Sequence, residues 1–171
     1  MDIERNVDKR GEPVVSDCYP FLKHAAIKPG MLRSIAGLSE PPFGAIEMAR
    51  GCGIGVEFLP SSGGTLRASV AADDDGRPVV RVAEGQDAEQ SNWIVACALA
   101  SLALQGPRPV EFHAGTRPNK MLALYAAELL MPQNWVRDAI AAGIVKHERL
   151  ATMFGVGVDI VTLRLAMMGY R

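Results

Sequence analysis

The stretch Asn92–Leu104 constrains the fold more than any other part of this chain, because it is apolar almost all round. It reads N-W-I-V-A-C-A-L-A-S-L-A-L and contains no charged residue. A helix without a polar face has to be buried on most sides, so other elements must surround it. The stretch is too short to span a bilayer. We therefore predict a helix at the centre of a globular core.

The composition is that of an ordinary folded protein. The chain has 171 residues, of which 49% are hydrophobic and 22% charged, enough for one domain with a real core. Its net charge of −1 creates no global attraction to nucleic acid or to anionic membranes. Cys18, Cys52 and Cys97 form no C-x-x-C pair, and the charged N-terminus lacks an apolar signal segment. We predict a cytoplasmic protein with reduced thiols and no membrane segment.

Residues 1–40 differ in character from the rest of the chain. Charged residues come first, and prolines and a glycine then interrupt any regular pattern. We predict an N-terminal arm over residues 1–40 with one or two short helices, one of them over Met31–Leu38. A disordered tail is the alternative for this arm. Residues 41–171 form the predicted domain.

The middle of the chain predicts three strands, and helices dominate the C-terminal half. Gly55–Leu59 reads as a strand, while Leu66–Ala71 and Pro78–Val82 read as a hairpin across an Asp-Gly turn. Pro109–His113 reads as a short extended segment. Strands followed by a run of helices indicate an α+β fold, with a small three-stranded sheet packed on a helical bundle. The predicted helices are Phe43–Cys52, Asn92–Leu104, Asn119–Met131, Asn134–Ala142, His147–Phe154 and Asp159–Met168.

Two later strings carry a family resemblance. Tyr125–Pro132 reads Y-A-A-E-L-L-M-P, and Leu150–Leu165 reads L-A-T-M-F-G-V-G-V-D-I-V-T-L-R-L. They resemble the E-A-N-x-F-A-A-E-L-L-M-P helix and the closing L-A-x-x-F-x-V-S-x-x-x-V-x-x-R-L stretch of the ImmA/IrrE family of zinc peptidases. The resemblance runs from about Ala45 to Gly169 and implies a zincin-like minimal domain.

The catalytic centre of that family is missing here. Its H-E-x-x-H motif corresponds to Cys97-Ala-Leu-Ala-Ser101, and its third zinc ligand corresponds to Met121. A hydrolytic zinc site needs three protein ligands, an open position for water and a general base. Ala98 cannot accept a proton, Ser101 and Met121 are poor zinc ligands, and Lys120 would repel a cation. The sequence therefore predicts a degenerate member with no catalytic residue, no metal ligand and no cofactor.

Two alternatives remain open from the sequence. If His113 approached Cys97, the pair could supply a thiol nucleophile or part of a metal site, and the chain would be an active hydrolase with rewired ligands. Leu150–Met168 also reads as a helix-turn-helix, which would make the chain a DNA-binding regulator. The second helix of this unit has one arginine, one aspartate and mostly apolar residues, which suits DNA readout poorly. We therefore expect no direct binding of nucleic acid.

The resemblance also implies a kind of partner. ImmA/IrrE proteins are typically associated with helix-turn-helix repressors of phages, mobile elements or stress systems, and they cleave or inactivate these repressors. An inactive relative is expected to hold such a repressor through the former substrate groove, as a regulatory protein-binding module. No pattern in the sequence predicts the oligomeric state of this chain. The residues predicted to bind the partner are Trp93, Cys97, Ser101, His113 and Lys120.

Overall fold

The structure is a computed structural model, and it describes residues 27–61 and 63–170. This part of the chain forms seven helices and four strands. The predicted α+β class, with a small sheet on a helical bundle, is confirmed. In chain order the elements are α1 (Pro29–Ile35), α2 (Ala45–Gly51), β1 (Gly55–Leu59), β2 (Leu66–Ala72), β3 (Pro78–Ala83), α3 (Ala88–Gln105), β4 (Val110–His113), α4 (Lys120–Leu130), α5 (Gln133–Ala141), α6 (His147–Phe154) and α7 (Val158–Met167).

The sheet has the strand order β1-β3-β2-β4. The predicted hairpin forms between β2 and β3, and Asp73 shapes its turn by accepting hydrogen bonds from the backbone N–H groups of Asp75 and Arg77 at 2.9 and 2.7 Å. Strand β1 pairs with β3 in parallel. The sheet also has a fourth strand beyond the three predicted, because β4 pairs with the free edge of β2 in an antiparallel register.

Helix α3 lies at the centre of the core, as the apolar stretch predicts. Every residue from Val95 to Ala103 is buried. The helix packs against α2, α4 and three of the strands. It begins at Ala88, about one turn earlier than predicted, because the side chain of Asp87 accepts a hydrogen bond from the backbone N–H of Gln90 at 2.7 Å. Such a cap satisfies a donor that would otherwise lack a partner at the helix start.

Helix α1, which lies inside the predicted arm, packs on the core. Ile27 and Leu32 are 4% and 1% exposed. The guanidinium of Arg33 donates to two backbone carbonyls in the last turn of α4, at 2.6 and 3.2 Å. Residues 1–26 of the predicted arm lie outside the described residues. Residues 27–40 contribute to the same hydrophobic core as the rest of the domain.

The side chain of Asn92 connects three helices. Its Oδ1 accepts a hydrogen bond from the backbone N–H of Ala45 at 2.6 Å, and its Nδ2 donates to the carbonyl of Gly155 at 3.1 Å. Ala45 begins α2, and Gly155 ends α6. This contact fixes the start of α3 relative to both helices.

The last two helices form a bent pair. Gly155 ends α6 with φ of +64°, a left-handed conformation that glycine adopts without strain. Helix α7 then leaves at an angle of 102° to α6. Among the described residues, no single helix is both long enough and apolar enough to cross a membrane. Within residues 27–61 and 63–170, only the bent pair of α6 and α7 is long and apolar enough, and only when the two helices are counted together.

Candidate functional site

The residues that the resemblance aligns with H-E-x-x-H are buried inside the core. Cys97 and Ala98 are 0% exposed and Ser101 is 2% exposed. The hydroxyl of Ser101 donates to the side chain of Gln105 at 3.4 Å, one turn further along α3. Met121, at the position of the third ligand, is 61% exposed on α4. Within residues 27–61 and 63–170, no three His, Cys, Asp or Glu side chains are grouped so that they could hold a metal ion.

His113 and Cys97 occupy different surroundings. His113 lies at the end of the edge strand β4, where its Nδ1 is 3.2 Å from the hydroxyl of Thr65 and its Nε2 is 3.1 Å from the carboxylate of Glu111. Cys97 lies in the core, and burial raises the pKa of its thiol from 9.0 to about 12. A thiol with this pKa stays protonated at neutral pH and is a poor nucleophile. The residues therefore do not favour thiol chemistry at Cys97.

We expect the Cys97 thiol of the folded protein to resist dithionitrobenzoate at neutral pH. Burial raises the pKa of the Cys97 thiol in the folded protein, so this thiol loses its proton at a lower pH in the unfolded chain than in the folded protein. The free energy of unfolding therefore falls as the pH rises from about 9 to about 12. The test is labelling kinetics in a Cys18→Ser background, followed by mass spectrometry of the labelled peptide. Cys97→Ala should unfold with a weaker alkaline pH dependence. Rapid labelling of Cys97 in the folded state would contradict this account.

Trp93 and Lys120 line one cleft, although they lie far apart in the sequence. The cleft encloses about 740 Å³ between the start of α3, the segment before α4, and α7. Its apolar lining includes Trp93, Ala123, Ile160 and Leu163. We call it the Trp93 cleft. Cys97, Ser101 and His113 do not line it.

The charged groups of the Trp93 cleft come from two elements. Lys120 is the first residue of α4, Arg117 lies three residues before it, and Asp159 lies in the first turn of α7. All three side chains belong to exposed residues. Neither cation forms an ion pair with a described residue. The positive ends of the α4 and α7 dipoles add to the potential near these residues.

A second cleft of about 370 Å³ lies on another side of α4. Its lining contains Leu104, Met121, Leu124 and Met167. Leu104, Met121 and Leu124 are among the exposed large hydrophobic residues of the described chain. The surface around Met121, which the resemblance aligns with the third zinc ligand, is therefore an apolar cleft rich in methionine.

The end of α4 is held by a buried arginine. Arg164 of α7 is 4% exposed; its Nε donates to the carbonyl of Met131 at 2.8 Å, and its Nη2 pairs with the carboxylate of Glu128. Burial, followed by repulsion from Arg33, lowers the pKa of Arg164 to about 10, so it is protonated at neutral pH. The contact of Arg164 with Glu128 and Met131 therefore joins Leu150–Leu165 to Tyr125–Pro132.

Comparisons with known proteins support the fold alone. No protein-family model matches the chain, and no curated protein matches it. Among solved structures, the fold is similar to that of a Mycobacterium tuberculosis transcriptional regulator, with a TM-score of 0.54 and 19% sequence identity. The match covers 86% of this chain and 48% of the regulator, so this chain spans about half of its length.

The predicted site residues did not include Arg33, Arg117, Glu128, Asp159 or Arg164. A signal was available for Glu128 and Arg164, because each is the one charged residue in an apolar stretch, residues 121–131 and residues 160–168. Charged side chains in such stretches are usually paired. Arg117 and Asp159 gave no such signal, since their placement around one cleft depends on how α7 packs against α4.

Proposed function

We propose that this chain is a regulatory protein-binding module, built on an ImmA/IrrE-like scaffold that has lost its peptidase chemistry. One observation supports the proposal: Cys97, Ala98 and Ser101, which the resemblance aligns with the catalytic positions, are buried in the core. Activation of water by zinc requires an accessible metal position and a base beside it. These side chains and their burial offer neither.

The partner that we propose is a helix-turn-helix repressor of a phage, a mobile element or a stress system, bound in the cytoplasm. The reason is that the family that this chain resembles acts on such repressors. The shared fold with a transcriptional regulator is compatible with a role in the same kind of process. The Trp93 cleft supplies the binding surface, because it combines an apolar lining with two cations that pair with no described residue.

The proposal is tested by titration calorimetry with purified helix-turn-helix regulators encoded by the same genome, beginning with any encoded beside this gene. We expect one regulator to bind the wild-type protein and to bind Trp93→Ala at least about tenfold more weakly, the loss typical of a central interface aromatic. Trp135→Phe is the matched control, because Trp135 packs against Phe43 and does not line the cleft. If none of these regulators binds, the proposal is wrong.

DNA binding by α6 and α7 is the second candidate, favoured by their angle of 102°. Helix-turn-helix units have angles of about 90–120°. The exposed residues of α7 are Val158, Asp159, Thr162 and Ala166, whereas its one cation, Arg164, is buried. Binding to phosphates needs exposed Lys or Arg. We therefore expect no retarded band in a gel-shift assay at low salt, and a band lost in Thr162→Glu would support DNA binding instead.

A further inference from the structure

The Trp93 cleft carries charges that select among possible ligands. Arg117 and Lys120 lie on its rim without an ion pair to any described residue, and Asp159 lies on the α7 side. Asp159 is not within salt-bridge distance of either cation, although all three line the same cleft. The cations are therefore free to take a counter-ion from a ligand that enters between the two helices.

The apolar lining of the cleft sets a second requirement. Trp93 is partly exposed and, with Ile160 and Leu163, presents apolar surface beside the charged rim. A volume of about 740 Å³ lies within the range of ligand sites, about 300–1,000 Å³. Such a cleft suits a short stretch of peptide better than a single ion, because an ion would leave the apolar lining in water.

We propose that the Trp93 cleft binds a peptide segment of the partner in which an acidic residue stands next to apolar residues. The acidic carboxylate lies between Arg117 and Lys120, at the positive end of the α4 dipole. The neighbouring apolar side chains pack on Trp93 and Leu163. This inference rests on the proposed function and names the chemistry that its site recognises.

DNA fits this cleft poorly. A duplex would meet only two cations here, together with the carboxylate of Asp159, whereas proteins that bind DNA tightly neutralise several phosphates with Lys and Arg. The apolar lining would also find no counterpart on a phosphate backbone. An acidic peptide uses both the charged and the apolar part of the surface.

The test is fluorescence anisotropy with a fluorescein-labelled peptide of alternating Glu and Leu. Its Gln-Leu and Lys-Leu counterparts and a labelled DNA duplex serve as competing probes. We expect the Glu-Leu peptide to bind best. The double variant Arg117→Glu, Lys120→Glu should weaken its binding by about tenfold or more, and Asp159→Asn should strengthen it by about threefold. Arg137→Glu, an exposed charge reversal on α5 outside the cleft, should change nothing.

The position of the peptide is read from tryptophan emission. In a Trp135→Phe background, Trp93 is the remaining tryptophan of the chain, and its spectrum should shift as the Glu-Leu peptide binds. Equal binding of the Glu-Leu and Gln-Leu peptides would overturn the inference. Tighter binding of the duplex, or full binding by the double charge reversal, would also overturn it.

The two proposals fail in different ways. If a helix-turn-helix regulator binds wild-type protein and the double charge reversal equally well, the proposed function stands and the inference about the cleft is wrong. If the Glu-Leu peptide binds at Trp93 but no regulator associates with the protein, the cleft chemistry stands and the regulatory role is wrong.

Discussion

The substitution Ala98→Glu is expected to destabilise this protein strongly, although the resemblance aligns Ala98 with the family's general base. Ala98 is 0% exposed in the middle of α3. A glutamate there adds volume to a packed core and buries a carboxyl group without a partner. We expect the free energy of unfolding to fall by more than about 4 kcal/mol, a large share of the roughly 5–15 kcal/mol that holds a domain together. Urea unfolding followed by circular dichroism measures this loss.

Introducing the whole H-E-x-x-H motif should not rescue the stability that Ala98→Glu removes. Cys97→His, Ala98→Glu and Ser101→His together place three large polar groups at buried positions, and zinc can stabilise them only if a third ligand and an open site are present. The further substitution Met121→Glu supplies a third ligand, but Met121 is 61% exposed, whereas Cys97 and Ser101 are buried. Ala88→Glu is the control, because Ala88 is exposed in the first turn of the same helix. A stable, zinc-binding quadruple variant would contradict the buried position of these residues.

The second large effect is expected at Arg164. Arg164→Met keeps a long side chain but removes the hydrogen bond to the carbonyl of Met131 and the ion pair with Glu128. Removing one partner of a buried ion pair costs about 3–5 kcal/mol, because the other partner keeps its desolvation cost. Glu128 is 32% exposed and regains part of its hydration, so we expect about 3 kcal/mol and a fall in Tm of about 10 °C.

A double-mutant cycle separates the ion pair from the rest of this effect. Glu128→Gln alone should cost less than Arg164→Met, and the double variant should lose less than the two single variants together. Arg149→Met is the matched control, because Arg149 is exposed on α6. Calorimetric Tm values for the four proteins test the expectation. If Arg164→Met melted at the wild-type temperature, Arg164 would not hold the end of α4.

The elements that depend on local signals were predictable from the sequence. The apolar stretch around Cys97 requires a buried helix, and Asp-Gly at the turn requires the hairpin. The early start of α3 depends on Asp87 as a cap, a signal that is local but weaker than the apolar pattern. The residues of β4 predict only an extended segment, because a short edge strand is fixed by its pairing with β2 rather than by its own residues.

The candidate site was predictable only in part. Trp93, Cys97 and Ser101 recur every four residues on α3, so a helix places them along one side. The sequence cannot tell which portion of that side stays open, because this depends on how α4 and α7 cover it. In the structure Trp93 stays partly exposed beside Lys120, whereas Cys97 and Ser101 are buried. The identification of these residues as partner-binding stays a prediction.

The central claim is that this scaffold binds a protein and does not cleave it. Native mass spectrometry tests the claim most directly, because one spectrum of the protein mixed with a helix-turn-helix regulator and zinc reports association, chain integrity and bound metal. We predict a complex whose mass is the sum of the two intact chains, without a zinc ion. Fragments of the regulator, or a zinc ion retained by this chain, would contradict the account.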